Sequence, residues 1–389
     1  MSTPALRVAI VGGGIGGAAA ANALLQRGIE VQVFEQASAL TEVGAGVGMA
    51  PNGLRALRRL GFADEIVRYG AAWSDPRFYR ADGTFIAPMW PPDTAVEFYG
   101  MHRADLLEML VDRLPADIIR TGHRCVSFEQ DDDQATVTFA NGARATTDVV
   151  VGADGIHSAL QPYVVEPSAP TSSGSMAYRG IIPSASVDWP AGAMRNFLGP
   201  RKRFMIYPVR AGELLNYVGF VPMDQQIKES WSAPGDPAEL AAEFAGWDPV
   251  VQAVLAQVKT CFRWGLYDRE PLRTWTNGRL TLLGDAAHPM LPHAGQGANQ
   301  AIEDGVAVAA ILAQADRASV PQALRVYEAV RRERTAGVQR MSRSNGARYE
   351  ASSDLDARDR QMSDHESASR AWIWNYDAQA EAEAAMAAI

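Results

Sequence analysis

Glycines at 12, 14 and 17 close an apolar run, Arg7-Val8-Ala9-Ile10-Val11, and open an alanine-rich segment. That order of strand, glycine turn and helix suits a phosphate. One glycine makes the tight turn, one lets a pyrophosphate touch the backbone, and one lets the helix pack on the strand. The helix start, with Ile15 and Gly16 in it, offers free N–H groups and the positive end of the helix dipole. Glu35, followed by Gln36, ends the next alternating segment. An acid there accepts a hydrogen bond from a ribose 2′-OH and repels a 2′-phosphate. Together these residues predict an adenine dinucleotide site.

Two later clusters bear on whether the dinucleotide is NAD or FAD. Gly152-Ala153-Asp154-Gly155 ends one apolar segment. Gly284-Asp285-Ala286-Ala287-His288-Pro289 ends another, and Gly295-Gln296-Gly297-Ala298 then enters a helix. A nicotinamide domain has no use for a second acidic strand end. A flavin has: its ribityl hydroxyls need an acceptor such as Asp285, and its pyrimidine end gains from the helix N-terminus after Gly295. Taken singly, each Gly-Asp pair also fits a turn with a helix cap. His293, between Asp285 and Gly295, is of the type that serves as a base or hydrogen-bonds a substrate near neutral pH. It also fits a hydrogen-bonded structural histidine. His288 belongs to the Gly-Asp loop and is expected to shape it. The two histidines lack acidic or cysteine companions at zinc spacing, so no metal is expected.

These residues need elements to hold them. Residues 7–11, 29–35, 148–152 and 279–284 read as strands, and 15–28 as the helix of a βαβ unit. Helix is expected over 51–70, 103–114, 237–259, 298–348 and 371–389. Residues 124–139 alternate and precede Asn141-Gly142, a hairpin or meander. Residues 176–222 carry aromatic-rich alternating runs, read as an antiparallel sheet with one face on a cavity. Met205, Tyr207 and Tyr217 are expected to line it, with Tyr178-Arg179 possible contributors. Arg203 either pairs with a substrate carboxylate or points to solvent. The fold class expected is α/β: a Rossmann-like domain of βαβ plus mixed sheets, an inserted antiparallel-sheet substrate domain, and a C-terminal helical segment. The division expected is 1–73, 100–170 and 270–345 for the first, 74–99 and 171–269 for the second, and 346–389 for the third.

The bulk numbers restrict function. The chain has 389 residues and a net charge of −9, a poor match to nucleic acid or anionic lipid. Two cysteines are no disulfide framework and fit a reducing cytoplasm. No apolar run reaches the roughly 20 residues of a membrane span, and the N-terminal run lacks the basic flank and cleavage site of a signal peptide.

The set Gly12–Gly17, Glu35, His102-Arg103-Ala104-Asp105-Leu106, Gly152–Gly155 and Gly284–Gly297 resembles the single-component, group A FAD-dependent aromatic hydroxylases over nearly the whole chain. Finer stretches resemble the salicylate hydroxylase-like branch, with its 6-hydroxynicotinate and 3-hydroxybenzoate relatives: Val43-Gly44-Ala45-Gly46-Val47, Ala177–Gly180, Tyr207–Arg210, Phe244–Trp247 and Trp372–Asp377. The resemblance implies that Gly12, Gly14, Gly17 and Glu35 hold the ADP half of FAD, with Arg103 beside the pyrophosphate or ribose. It implies that Asp154 serves FAD and pyridine nucleotide, Asp285 the ribityl chain, and Gly295 to Ala298 the isoalloxazine. Gly46 and Val47 are taken as cofactor contacts, and Pro292 and His293 as substrate contacts. His293, Tyr207 and Arg203 are the catalytic candidates.

The implied reaction uses NADH or NADPH and O2, through a flavin C4a-hydroperoxide, on a small electron-rich aromatic acid, with or without decarboxylation. The protein is expected to be a monomer or homodimer without nucleic-acid or membrane partners. A tailoring hydroxylase or epoxidase on a larger natural product, or an inactive flavin-binding regulator, remains an alternative. Two positions depart from the family pattern: Gln161 where an arginine is usual after Ser158, and Arg203 where several relatives have histidine.

Overall fold

The computed structural model describes residues 5–40, 44–90, 96–223, 233–351, 354–363 and 367–389. Val43, and residues 91–95 and 224–232 of the expected sheet region, lie outside them.

Five strands run parallel in a six-stranded sheet: Ile119–Arg120, Glu30–Phe34, Arg7–Val11, Val149–Gly152 and Leu280–Leu282, with Thr276–Asn277 antiparallel at the edge. Val149, Val150 and Val151 are fully buried, as an apolar run covered on both faces must be. Val11 is level with Gly152, and Gly152 with Leu282. The carboxyl ends of three strands therefore bring Gly12, Asp154 and Asp285 to one edge, where ligands of such sheets bind. Gly12 has φ +112°, and a Cβ on it would stand 2.2 Å from the Ala153 carbonyl oxygen. A Cβ on Gly17 would stand 2.0 Å from the oxygen of Gly12. These glycines let the turn, the next strand and the helix Ile15–Leu25 close on one another.

The second large sheet has eight strands in the order Ala233–Gly235, Cys261–Asp268, Thr171–Pro183, Leu214–Pro222, Lys202–Val209, Ala193–Gly199, Asp75–Arg80 and Phe85–Pro88. Only Ala193–Gly199 with Asp75–Arg80 is a parallel pair. One face carries Tyr178, Phe204, Ile206 and Tyr217 into an apolar cluster with Leu240 and Phe244. The other face meets the cavity. Smaller sheets are Cys125–Gln130 with Ala135–Phe139 and Arg144–Thr147, and Gly46–Met49 with Tyr99–His102 and Ala71–Ala72.

Several expected helices are pairs of helices. Residues 51–70 split into Pro51–Arg59 and Ala63–Tyr69 around Gly61, whose φ is +86°. Residues 237–259 split into Pro237–Glu243 and Pro249–Leu255, each begun by proline and capped by Asp236 or Asp248. The long C-terminal helix is Gly297–Leu312 followed by Val320–Tyr349. The tail is Ser367–Trp374 and Ala378–Ala387, the latter capped by Asp377. Aspartate caps and prolines stop a helix without interrupting its apolar spacing, which is why the spacing alone ran the pairs together. Among the described residues, no helix is long and apolar enough to cross a membrane.

Candidate active site

A cavity of about 820 Å³ lies between the two large sheets. Gly12, Gly14, Ile15, Gly16, Glu35 and Gln36 line the part nearest the six-stranded sheet. The Glu35 carboxylate accepts N–H bonds from Gly13 and Ala37, each 2.8 Å, and so ties the glycine turn to the second strand. A Cβ on Gly14, Gly295 or Gly297 would meet nothing within 4 Å, and all three line the cavity. Side chains there would fill space a ligand can use. The helices Ile15–Leu25 and Gly297–Leu312 both start with no side-chain cap, leaving first-turn N–H groups for an anion.

Asp154 accepts the Ala159 N–H at 2.8 Å on one oxygen, while its other oxygen is buried without a partner. Burial pushes its carboxyl up. Asp285, Arg103, Gly46, Val47 and Ala298 complete the expected lining. Gly17 is not in it and packs beneath the turn. Gln161 is buried and donates to the Ala286 carbonyl at 2.9 Å, fastening the Asp154 motif to the Asp285 loop with no charge involved.

Under this floor lies a buried ionic cluster. Arg331, wholly buried, pairs with Glu303 at 2.6 Å and Asp304 at 2.7 Å. Asp304 also accepts from His288 at 2.6 Å and from the Gly284 N–H at 3.0 Å. Burial alone raises the Asp304 carboxyl, but His288 and Arg331 bring it down to about 2. His288 is thus outside the cavity and shapes the loop, as expected. Asn299 joins the Ala50 N–H and the Gly48 and Gly295 carbonyls, each at 2.9 Å, so the start of Gly297–Leu312 is held to Gly46–Met49.

The other part of the cavity is aromatic. Along Lys202–Val209 the lining residues are Arg203, Met205 and Tyr207; along Leu214–Pro222 they are Asn216, Val218 and Phe220. Arg203 is 3% exposed. It does not point to solvent. Its guanidinium lies 3.9 Å from the Phe220 ring centre and 4.7 Å from that of Tyr349. One terminal nitrogen meets His293 Nδ1 at 3.2 Å, and Nε is buried without a partner. Burial lowers its pKa to about 10, so it remains a cation near neutrality. Burial, and then Arg203, lower His293 to about 3, so the ring is neutral. Burial raises the Tyr207 phenol, which keeps its proton.

A model described as FAD binding domain matches residues 5–342. The chain belongs to this family of FAD-dependent enzymes. It is 38% identical over 384 residues to 3-amino-4-hydroxybenzoate 2-monooxygenase PtmB3 of Streptomyces platensis, covering 96% of each chain. It is 35% identical to a salicylate hydroxylase of Pseudomonas putida, covering 96% of this chain and 93% of that one. A salicylate hydroxylase substrate complex superposes with a TM-score of 0.83 at 32% identity, covering 98% of each chain. The flavoprotein is therefore an enzyme of the aromatic monooxygenase type, and the open cradle, uncapped helix starts and orphan Asp154 oxygen fit FAD.

Tyr217 is a correction to the expected lining. It pairs with Ile206 and shares that residue's face, away from the cavity. Its hydroxyl donates to the Thr260 carbonyl at 3.4 Å. Side chains alternate across a strand, so Asn216 and Val218 take the cavity face and Tyr217 cannot. Tyr178 is likewise turned away, while Arg179 lines the cavity above the Trp264 ring at 4.9 Å. Met205, Tyr207, Pro292 and His293 are where expected. Asn216 was not anticipated. Its side-chain oxygen accepts the Gly46 N–H at 2.7 Å, clamping the strand Gly46–Met49 to the eight-stranded sheet. The alternation that places Met205 and Tyr207 also finds Asn216. Ile373 and Trp374, within the Trp372–Asp377 stretch singled out above, belong to the same wall, a place that their local spacing does not show.

Proposed function

We propose that this flavoprotein hydroxylates a small, electron-rich aromatic acid, with NAD(P)H and O2 as co-substrates. Arg203 carries the reading: a buried cation in an aromatic-walled cavity with unspent donors. Among the described residues no carboxylate forms an ion pair with it. A buried charge is costly unless paired, and a substrate carboxylate supplies the pair with bidentate geometry. This is also where the chain departs from relatives with histidine, so the acid it prefers need not be theirs.

When bound, FAD supplies electrons taken from NAD(P)H and the means to activate O2. The chain's residues do the rest. Arg203 orients the acid group, the Phe220, Trp264 and Tyr207 rings contain the aromatic ring and exclude water, and neutral His293 accepts a hydrogen bond or proton. The balance is substrate, NAD(P)H, H⁺ and O2 to hydroxylated substrate, NAD(P)⁺ and water; if the carboxylate is displaced, a second H⁺ is consumed and CO2 leaves.

The test is a panel of hydroxybenzoates, aminobenzoates and hydroxypyridine acids, scored by NAD(P)H loss and product mass. One member should stimulate NAD(P)H oxidation and gain one oxygen, with or without loss of CO2. No stimulation by any member would overturn the reading. The proposal extends to the division of the chain given above, and to a cytoplasmic monomer or homodimer. The two buried, unpaired cysteines suit the cytoplasm, and size-exclusion chromatography settles the assembly.

A further inference from the structure

His293 is a partition between two cavities. It lines the main one, and with Leu291 it also lines a side cavity of about 380 Å³. The ring's two nitrogens face different ways. Nδ1 meets Arg203 at 3.2 Å, and Nε2 stands 4.0 Å from Glu350 Oε1. Glu350 lines the side cavity; its Oε1 is buried without a hydrogen-bond partner, while Oε2 accepts the Ser175 hydroxyl at 2.6 Å. The helix Val320–Tyr349 comes close enough to make this arrangement because it presents Gly346, where a Cβ would stand 2.6 Å from the imidazole.

We propose that Glu350 is the proton exit of the aromatic site, fed through His293. The inference rests on the aromatic-acid reading above and takes the case in which that acid carries a phenol, the phenolic-acid reading. With Arg203 donating to Nδ1, the ring proton sits on Nε2, directed at Glu350. An acid group that takes over the Arg203 donors frees Nδ1 to accept. The phenol O–H bond then breaks as Nδ1–H forms. The Nε2–H bond breaks as Glu350 Oε1–H forms, and Glu350 passes the proton to water in the side cavity. The substrate is left as phenolate beside Arg203, and no electrons move.

The groups facing Glu350 agree with this task. Burial raises its carboxyl, while Ser175, Arg203 and Arg201 lower it. Across the side cavity, Arg343 is already paired with Asp268 and Glu270. Burial outweighs the lowering by Ser175, Arg203 and Arg201, so Glu350 takes up a proton more readily than an exposed glutamate does.

The probe is 4-hydroxy-3-nitrobenzoate, whose phenol and phenolate differ in colour, mixed with FAD-loaded enzyme in a stopped-flow instrument. E350Q should slow phenolate appearance by roughly 10²-fold, the size of a general acid–base contribution, with the dissociation constant unchanged. E350D should recover most of the rate. S175A, which releases Oε2, should slow it less than E350Q. A merely structural Glu350 would change affinity or melting temperature and leave the rate at saturation alone. Wild-type phenolate rates in E350Q overturn the proposal; should E350Q not fold, a wild-type rate in S175A overturns it. Failure of the probe to bind wild-type enzyme counts instead against the phenolic-acid reading, and the relay falls with it.

Discussion

Arg203 and His293 share a 3.2 Å hydrogen bond inside the cavity wall, a cation held against a ring that its own charge helps keep neutral. An incoming anion changes both partners. It compensates Arg203 and so offsets the smaller of the two effects that lower His293, burial being the larger.

Replacing that cation should therefore discriminate between acids and their neutral analogues. Arg203→Met removes charge-assisted hydrogen bonds of roughly 1.5–3 kcal/mol. The dissociation constant of an aromatic carboxylate should rise about 10- to 100-fold, at about 1.4 kcal/mol per decade. The matching carboxamide should bind as before. Titration of the flavin absorbance reads both, and an equal loss for acid and amide would sink the assignment.

His293 also sets an acid limit on stability. The unfolded chain protonates this ring near pH 6.5, whereas the folded chain resists until about 3. Its contribution is complete above about pH 6.5 and is lost as pH falls towards 3, with a slope approaching about 1.4 kcal/mol per pH unit. Asp304, held at about 2, adds a loss at lower pH still, below its ordinary 3.8. In His293→Asn, denaturant midpoints between pH 4 and 6 should fall less steeply than in the wild type. Parallel curves would contradict the burial argument.

Gly12 and Gly14 should fail differently. Gly14→Leu places a side chain in open cavity, so the protein should fold, melt near the wild-type temperature and purify without its yellow colour. Gly12→Ala meets the Ala153 carbonyl at 2.2 Å on a left-handed backbone, and should lose at least about 1–3 kcal/mol along with soluble yield. A colourless but stable G12A, or a yellow G14L, would reverse the roles given to them.

The buried ionic cluster predicts a large structural effect far from the aromatic end. Arg331→Met leaves Glu303 and Asp304 buried without their shared cation, which costs roughly 3–5 kcal/mol. Urea unfolding should show it, with FAD retention falling in parallel because the cluster underlies the Gly284 and Gly295 loops.

Strand parity supplies the sharpest comparison. Tyr217→Phe gives up only a 3.4 Å bond on the far face of the sheet and should leave KM and kcat unchanged. Asn216→Ala, one residue away, leaves the Gly46 N–H without its acceptor at a cost of about 1–3 kcal/mol, and should weaken substrate and flavin binding together. Loss of activity in Y217F would mean the face assignment is wrong.

The position of the glycine turn and of the strand-end acids was legible because close backbone approach surfaces as glycine spacing, and parallel strands end at one edge of their sheet. Gly12, Gly17, Glu35, Asp154 and Asp285 are all of that kind. The substrate half depends on which of two faces a side chain takes, and one mistaken parity moved Tyr217 across the sheet. Glu350 and Trp374 were beyond reach for another reason. They meet His293 and the aromatic wall through tertiary packing that no local pattern encodes. Arg203 was visible as a candidate, but its exposure turned on the registry of Lys202–Val209 with Leu214–Pro222, where it sits opposite Phe220.

Trp374 packs edge-on to Phe98 and Trp90, and Arg334 and Arg55 hold the carbonyls of residues 372–376. The order of synthesis then matters. The glycine turn, the Asp285 loop and the helix Gly297–Leu312 are all made before these residues emerge, and domains fold as they leave the ribosome. A nascent chain can thus assemble its dinucleotide cradle while the aromatic end still gapes. The residues that seal the aromatic end thus come later in the chain than the turn, loop and helix they close over.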